Sequence, residues 1–282
     1  FSFVQHQGKM LSYNNLLDFE AAVDILREFK RTAACVVKHG NPSGIAEDPD
    51  LAIAASRAID CDSLSAFGGI VAVNRTCNDR VAKVIMDWLP FFEIIVAPKF
   101  TAKALAVLKP RKNLRVLSVP DLYHIGPYDL RFMKVGVLLQ DRDRPIREQE
   151  ARLKKRLKWA TKKKLKGKEI DDLIFAWKCA KVVRSNAIVL TQGKQTVGIG
   201  GGQMSRVDSV KIACMKAGKR TRGAFMASDA FFPMADNIEF AREYRISAII
   251  QPGGSIRDKE VIDACNQYRI AMAFTGQRHF KH

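Results

Sequence analysis

The sequence predicts an α/β protein built from two related three-layer αβα lobes, and three observations predict it. Short continuous apolar runs alternate with segments of helical periodicity along the whole chain, the pattern of strands covered by helices on both faces. Two stretches also repeat one order. Ser65-Ala66-Phe67-Gly68-Gly69 leads through a helix to Ile94-Ile95-Val96-Ala97-Pro98, and Ser228-Asp229-Ala230-Phe231-Phe232-Pro233 leads through a helix to Ile249-Ile250-Gln251-Pro252. Finally, 282 residues of which 47% are hydrophobic suffice for one large domain or two ordinary ones.

Each element follows from local pattern. In the first lobe, placed at residues 1–150, Leu17, Ala21, Ala22, Ile25, Leu26 and Phe29 recur at helical spacing, so 17–30 reads as a helix. Residues 33–37 then form a short buried strand, 51–59 a helix, 69–73 a strand, 80–89 a helix and 93–97 a strand. The second lobe, at 171–282, alternates in the same way. Residues 171–183 are helical, 187–190 and 196–200 are strands, 207–217 and 237–244 are helices, and 247–250 is a strand.

Between the lobes, a connector at 151–170 lies within the chain's one shift of composition. Residues 147–168 hold eleven basic residues against two acids, half of the formal net charge of +18. So basic a chain raises nucleic acid as an alternative partner. Against it, no RRM, KH or zinc-finger pattern is present, and Trp159 is the only aromatic among the basic residues. The run reads instead as a solvated face with an apolar edge of Leu153, Leu157 and Trp159, a candidate dock, through Lys162, Lys163 and Lys164, for a polyanionic tail. No apolar run reaches the ~20 residues of a membrane-spanning helix, and residues 1–6 lack signal-peptide architecture, so a soluble cytoplasmic protein without membrane partners is expected. The six cysteines show no C-x-x-C and no histidine spaced to complete a zinc site, which leaves buried, reduced thiols and no metal centre.

Two motifs sit where α/β proteins place ligands, at strand ends. Lys38-His39-Gly40-Asn41-Pro42-Ser43-Gly44 follows a buried strand and sets a proton acceptor beside an ammonium that can stabilise a developing oxyanion. Gly198-Ile199-Gly200-Gly201-Gly202-Gln203-Met204-Ser205-Arg206 joins a strand to a helix start, aiming backbone N–H groups, a hydroxyl and a guanidinium at one point, as an anion site does. Asn186, between helix and strand, is placed to orient a substrate amide. Phe231 and Phe232 read as core, Asp236 as a helix cap, and 277–282 as a frayed tail.

These motifs, with Arg184-Ser185-Asn186-Ala187, Gln251-Pro252-Gly253-Gly254-Ser255-Ile256-Arg257-Asp258 and Phe274-Thr275-Gly276-Gln277-Arg278-His279-Phe280, closely resemble the transformylase half of the AICAR transformylase/IMP cyclohydrolase family. The resemblance runs in order along nearly the whole chain; no cyclohydrolase residues are present in it. It implies a cytidine deaminase-like fold without zinc, a homodimer with sites at the interface, and formyl transfer from 10-formyltetrahydrofolate to the 5-amino group of AICAR in IMP biosynthesis. It implies Lys38, His39 and Asn186 as catalytic residues, and Ser205, Arg206, Phe231, Asp236 and Arg278 as substrate-binding residues. Asp236 is associated with the folate and Arg278 with the nucleotide phosphate. A potassium ion near Asp229 is also implied.

The chemistry suits those residue types. The AICAR amine is a weak nucleophile, its lone pair delocalised into the ring, so attack on a formyl carbon needs a proton acceptor and oxyanion stabilisation. His39 suits the first task, Lys38 the second, and Asn186 the positioning of amine and formyl group.

Overall fold

The computed structural model describes residues 2–282; Phe1, which opens the first predicted lobe, lies outside them. The first half runs β1 (Val4–Gln7), α1 (Tyr13–Arg27), β2 (Ala33–Lys38), β3 (Asn41–Glu47), α2 (Leu51–Asp60), α3 (Ser63–Ala66), β4 (Ile70–Val73), α4 (Asp79–Trp88), β5 (Ile94–Ala97), α5 (Ala102–Leu108) and β6 (Arg115–Ser118). A ribbon of β7 (Tyr128–Met133) and β8 (Gly136–Asp141) follows, then α6 (Ile146–Arg156) and β9 (Lys158–Trp159). The second half runs α7 (Lys168–Lys181), β10 (Ile188–Gln192), β11 (Gln195–Gly200), α8 (Arg206–Ala217), β12 (Phe225–Ser228), α9 (Asp236–Glu243), β13 (Ala248–Gln251), α10 (Asp258–Gln267) and β14 (Ala271–Phe274).

The α/β class is as expected, and the strands form one continuous mixed sheet in the order β1-β6-β5-β4-β2-β3-β11-β10-β12-β13-β14-β9. The order reads alike from both ends. Each half has an inner antiparallel hairpin, three strands parallel to one another, and an antiparallel edge strand. Side chains alternate across it with period two. Ala33, Cys35 and Val37 of β2 and Ala248 and Ile250 of β13 enter one core with α1 and α7, which spans both halves. The opposite faces make two separate cores, one under α2, α4 and α5 and one under α8, α9 and α10. At the join, Gln195 pairs with Ala46, and the Thr196 hydroxyl both accepts from the Ile45 N–H (2.8 Å) and donates to the Ile45 carbonyl (3.1 Å).

Two expectations are corrected. Residues 41–47 form a strand although Asn41-Pro42-Ser43-Gly44 has the composition of a turn. The turn is the pair His39-Gly40, and Gly44 lets α2 press directly on β3, since a Cβ there would overlap the Ala58 carbonyl oxygen. Gly198 of β11 does the same for Ala213 of α8. The repeat holds for strand and helix order, but its two turns are not equivalent. Ser65–Gly69 precedes β4, whereas Ser228–Pro233 follows β12. The partner of Asp229 is Asn74: Asn74 accepts the Ala33 N–H on its side chain (2.8 Å) and Asp229 the Ala187 N–H (3.1 Å), each at the start of a hairpin strand. The segment 151–170 holds the end of α6 and strand β9. Lys178 and Lys154 bind Glu150 at 2.6 and 3.0 Å, Lys154 also binds Asp171 at 2.6 Å, and β9 closes the edge of the second half.

All six cysteines are buried and unpaired, and burial pushes the thiols of Cys61, Cys77, Cys214 and Cys265 up to about 12. Among the described residues no helix is long and apolar enough to cross a membrane.

Candidate active site

Strand direction collects the predicted residues on one edge of the sheet. There β2 ends and β3 begins, β10 begins, and β11, β12, β13 and β14 end. At the β2–β3 turn His39 takes a left-handed backbone (φ 53°), and the Asp18 carboxylate of α1 accepts the N–H groups of His39 (3.2 Å) and Gly40 (2.6 Å). The turn is thereby pinned while the His39 ring stays exposed, hydrogen-bonded to no described residue. Lys38 Nζ donates to the Phe67 carbonyl at 2.8 Å, which leaves it further N–H groups to offer.

The turn docks on the segment that enters β10, where the Arg184 N–H donates to Asn41 Oδ1 at 2.9 Å. Gly201 sits in the same crossing, where a Cβ would overlap the Val183 side chain. Asn186 is held from every side. Its Nδ2 donates to the carbonyls of Gln203 (2.9 Å) and Met204 (3.1 Å), and its Oδ1 accepts from Arg206 Nη2 at 2.7 Å. Its side chain is therefore fixed by the glycine-rich turn that leads into α8.

Arg206 departs from expectation. Its guanidinium is buried, donating to the Ser228 hydroxyl at 2.9 Å and ion-paired with Asp229, so it is no open fork for an anion. Gly200 and Gly201 serve close packing instead, Gly202 supplies a left-handed backbone (φ 70°) with open space around it, and Ser205 occupies the N-cap of α8 without capping it. Asp229 is fully buried, and both of its oxygens are engaged: Oδ1 by Arg206 and the Ala187 N–H, Oδ2 by the Ser185 hydroxyl. The two carboxylate oxygens and the Ser185 hydroxyl are the oxygens gathered where a potassium ion is implied. Among the described residues no group of three or more His, Cys, Asp or Glu side chains is placed to hold a metal ion.

The tail is ordered rather than frayed. Buried His279 lies 2.5 Å from Asp143 Oδ2 through Nδ1, its ring centroid 5.4 Å from that of Trp177, and the Lys281 carbonyl accepts the Ser185 N–H at 2.9 Å. This returns Arg278 to the same edge, with its guanidinium 4.5 Å from the Phe280 ring centroid. The two phenylalanines split. Phe232 is core, whereas half-buried Phe231 lines a cleft of about 440 Å³ with Pro252, Phe274, Arg278, Arg156 and Lys158. Asp236 stands apart, exposed in the first turn of α9, where it accepts the Asn237 N–H at 2.7 Å; Ala235 takes the cap position.

Sequence reasoning missed Asp18, Ser185, Arg156 and Lys158. Asp18 looks like any polar residue on the outer face of a helix, and the two cations vanish into a basic run; only folding shows which of its members face a cleft.

The AICARFT/IMPCHase bienzyme family model matches residues 1–216. The chain is 46% identical over 281 residues to the bifunctional purine biosynthesis protein PurH of Acetivibrio thermocellus, covering 99% of this chain and 53% of that protein. Against the PurH proteins of Sorangium cellulosum and Persephonella marina it is 48% identical, over 277 and 281 residues, covering 98% of this chain in each case and 52% and 53% of the relatives. The chain spans about half the length of the curated relatives it matches.

Proposed function

With residues 1–216 matched by its model, the chain belongs to the AICARFT/IMPCHase bienzyme family, and from that premise we propose that it transfers the formyl group of 10-formyltetrahydrofolate to the 5-amino group of AICAR. The products are FAICAR and tetrahydrofolate, in IMP biosynthesis in the cytoplasm. The observation that carries the reading is the junction of the Lys38-His39 turn with the Asn186–Arg206–Asp229 cluster through the Arg184–Asn41 hydrogen bond.

In the reaction the amine nitrogen of AICAR attacks the formyl carbon, and the bond from that carbon to N10 of the folate breaks. The His39 ring, exposed and hydrogen-bonded to no described residue, accepts the amine proton. Lys38 lends an N–H to the tetrahedral oxyanion and supplies a proton to N10 as it leaves. Asn186, immobilised by Gln203, Met204 and Arg206, fixes the attack geometry, with Ser205 beside it. Phe231 and Arg278 hold the nucleotide, the latter at its phosphate, and Asp236 reaches the folate from α9. No step is routed through a potassium or zinc ion.

Two further features support parts of this reading. Each half of the sheet has a hairpin flanked by three parallel strands with helices on both faces, the arrangement of a cytidine deaminase-like lobe, which favours two duplicated lobes at 1–150 and 171–282. A second copy of the chain is favoured by the ribbon. Tyr128, Leu130, Phe132, Val137 and Leu139 share one of its faces and are all exposed, Phe132 by 82%. A lone two-stranded ribbon is marginal in water, and its apolar face calls for cover. We place the dimer contact there and sites at the interface.

The test is release of tetrahydrofolate from 10-formyltetrahydrofolate, followed spectrophotometrically with and without AICAR. AICAR-dependent release is expected, falling about 10²–10⁴-fold in His39→Ala. Near-normal transfer by that variant would remove His39 from the mechanism.

A further inference from the structure

Resting on that reading and deepening it, we propose that Arg156 and Lys158 belong to the substrate site, where with Arg278 they clamp the phosphoryl group of the nucleotide. The basic run of 147–168 is not one surface. Strand β9 lies antiparallel to β14 with Lys158 opposite Phe274, so the chain passes from one edge of the sheet to the other across these few residues. Arg156, at the end of α6, and Lys158 are left at the edge where β13 and β14 end, in the cleft shared with Phe231 and Arg278. Lys162 and Lys163 emerge at the opposite edge. The Lys162 N–H donates to Asn266 Oδ1 at 2.8 Å, and Lys163 Nζ to the carbonyl of Ser247, just before β13 begins, at 3.5 Å. The expected dock at Lys162, Lys163 and Lys164 is therefore remote from Arg278.

The cleft is lined by three cations and no carboxylate, with Phe231, Phe274 and Pro252 as apolar walls. Its cations arrive from three separate places: the end of α6, strand β9 and the segment after β14. A compact dianion at their focus receives charge-assisted hydrogen bonds from three directions, and both arginines offer the two-pronged donor that suits a phosphoryl group. A chain of linked carboxylates would call for a row of cations along the surface instead. Because α6 is tied to α7 through Glu150, Lys154 and Lys178, Arg156 is presented by a fixed element rather than a free linker.

Arg156→Ala, Lys158→Ala and the double variant are compared with a Lys162→Ala/Lys163→Ala/Lys164→Ala control, which removes more charge from the far edge. Steady-state kinetics with AICAR and folate are joined to calorimetric binding of AICAR and of its unphosphorylated riboside. Each single substitution should raise KM and Kd for AICAR about tenfold, with kcat within about twofold and the folate KM unchanged. Arg156→Lys and Lys158→Arg should restore most of the loss, and the riboside should bind all forms alike. An unchanged AICAR Kd in the double variant, or an equal loss in the control, would overturn the clamp. A loss confined to the folate and growing with its number of glutamates would also overturn it, giving these cations to the folate tail. Should the wild-type protein bind AICAR without turning it over, the formyltransferase reading falls while the calorimetry still reads the clamp.

Discussion

Asp229 carries no solvent-exposed surface, and three donors from two segments converge on its carboxylate: Arg206 from α8, and the Ser185 hydroxyl and the Ala187 N–H from the stretch that enters β10. Breaking a buried pair from one side strands the other charge, which costs about 3–5 kcal/mol. Asp229→Asn should therefore lower the free energy of denaturant unfolding by that order. It should also slow the proposed formyl transfer, because Arg206 is the donor that fixes Asn186 Oδ1. A variant with unaltered stability and rate would show that the ion pair neither holds the fold nor supports Asn186. The equivalent position in the first half is Asn74, which accepts the Ala33 N–H as Asp229 accepts that of Ala187. The same backbone task is done there by a neutral residue, so the charge at 229 answers to Arg206 rather than to the strand.

Among the elements, α6 shows how a basic segment becomes structure. Lys178 of α7 is buried and paired with Glu150, which Lys154 also contacts. Burial pushes the Glu150 carboxyl up, but the hydrogen bonds from Lys178 and Lys154 outweigh it and hold the group at about 2, below the ordinary 4.5. A folded-state value below the unfolded one means that the stability it contributes is fully present above pH 4.5 and is lost as pH falls toward 2. Glu150→Gln should cost about 2 kcal/mol at neutral pH and flatten the fall of Tm between pH 4.5 and 2, read by calorimetry across that range. A pH profile identical to that of the parent would show that the helix is held by Leu153 and its apolar contacts alone.

For the whole molecule, the continuous sheet and the core shared by α1 and α7 make the two halves one body, and the ribbon of β7 and β8 is its least covered part. The proposed dimer predicts a sedimentation mass of two chains at micromolar concentration. Leu130→Asp with Phe132→Asp on the ribbon's apolar face should yield monomers and a large loss of the proposed formyl transfer, since sites built at the proposed interface would need both copies. A wild-type protein that sediments as one chain, or a monomeric variant with full activity, would separate the ribbon from the site.

The apolar periodicity of α1, β2, β5, α7 and β13 was enough to specify an α/β chain, because each buries its side chains in a pattern that the sequence spells locally. Motif order likewise pointed to Lys38, His39 and Asn186. What it could not decide were pairings between residues far apart in the chain. β3 is hidden by a turn-like composition and becomes a strand only because β2 and α2 pack on it. Arg206 looks like an open anion ligand until Asp229, 23 residues on, claims it. Arg156 and Lys158 are two cations among eleven until antiparallel pairing with β14 sets them at the cleft and sends their neighbours to the opposite edge. Local spacing determined which residues could act; long-range packing, which places charges by where strands end, decided which of them meet.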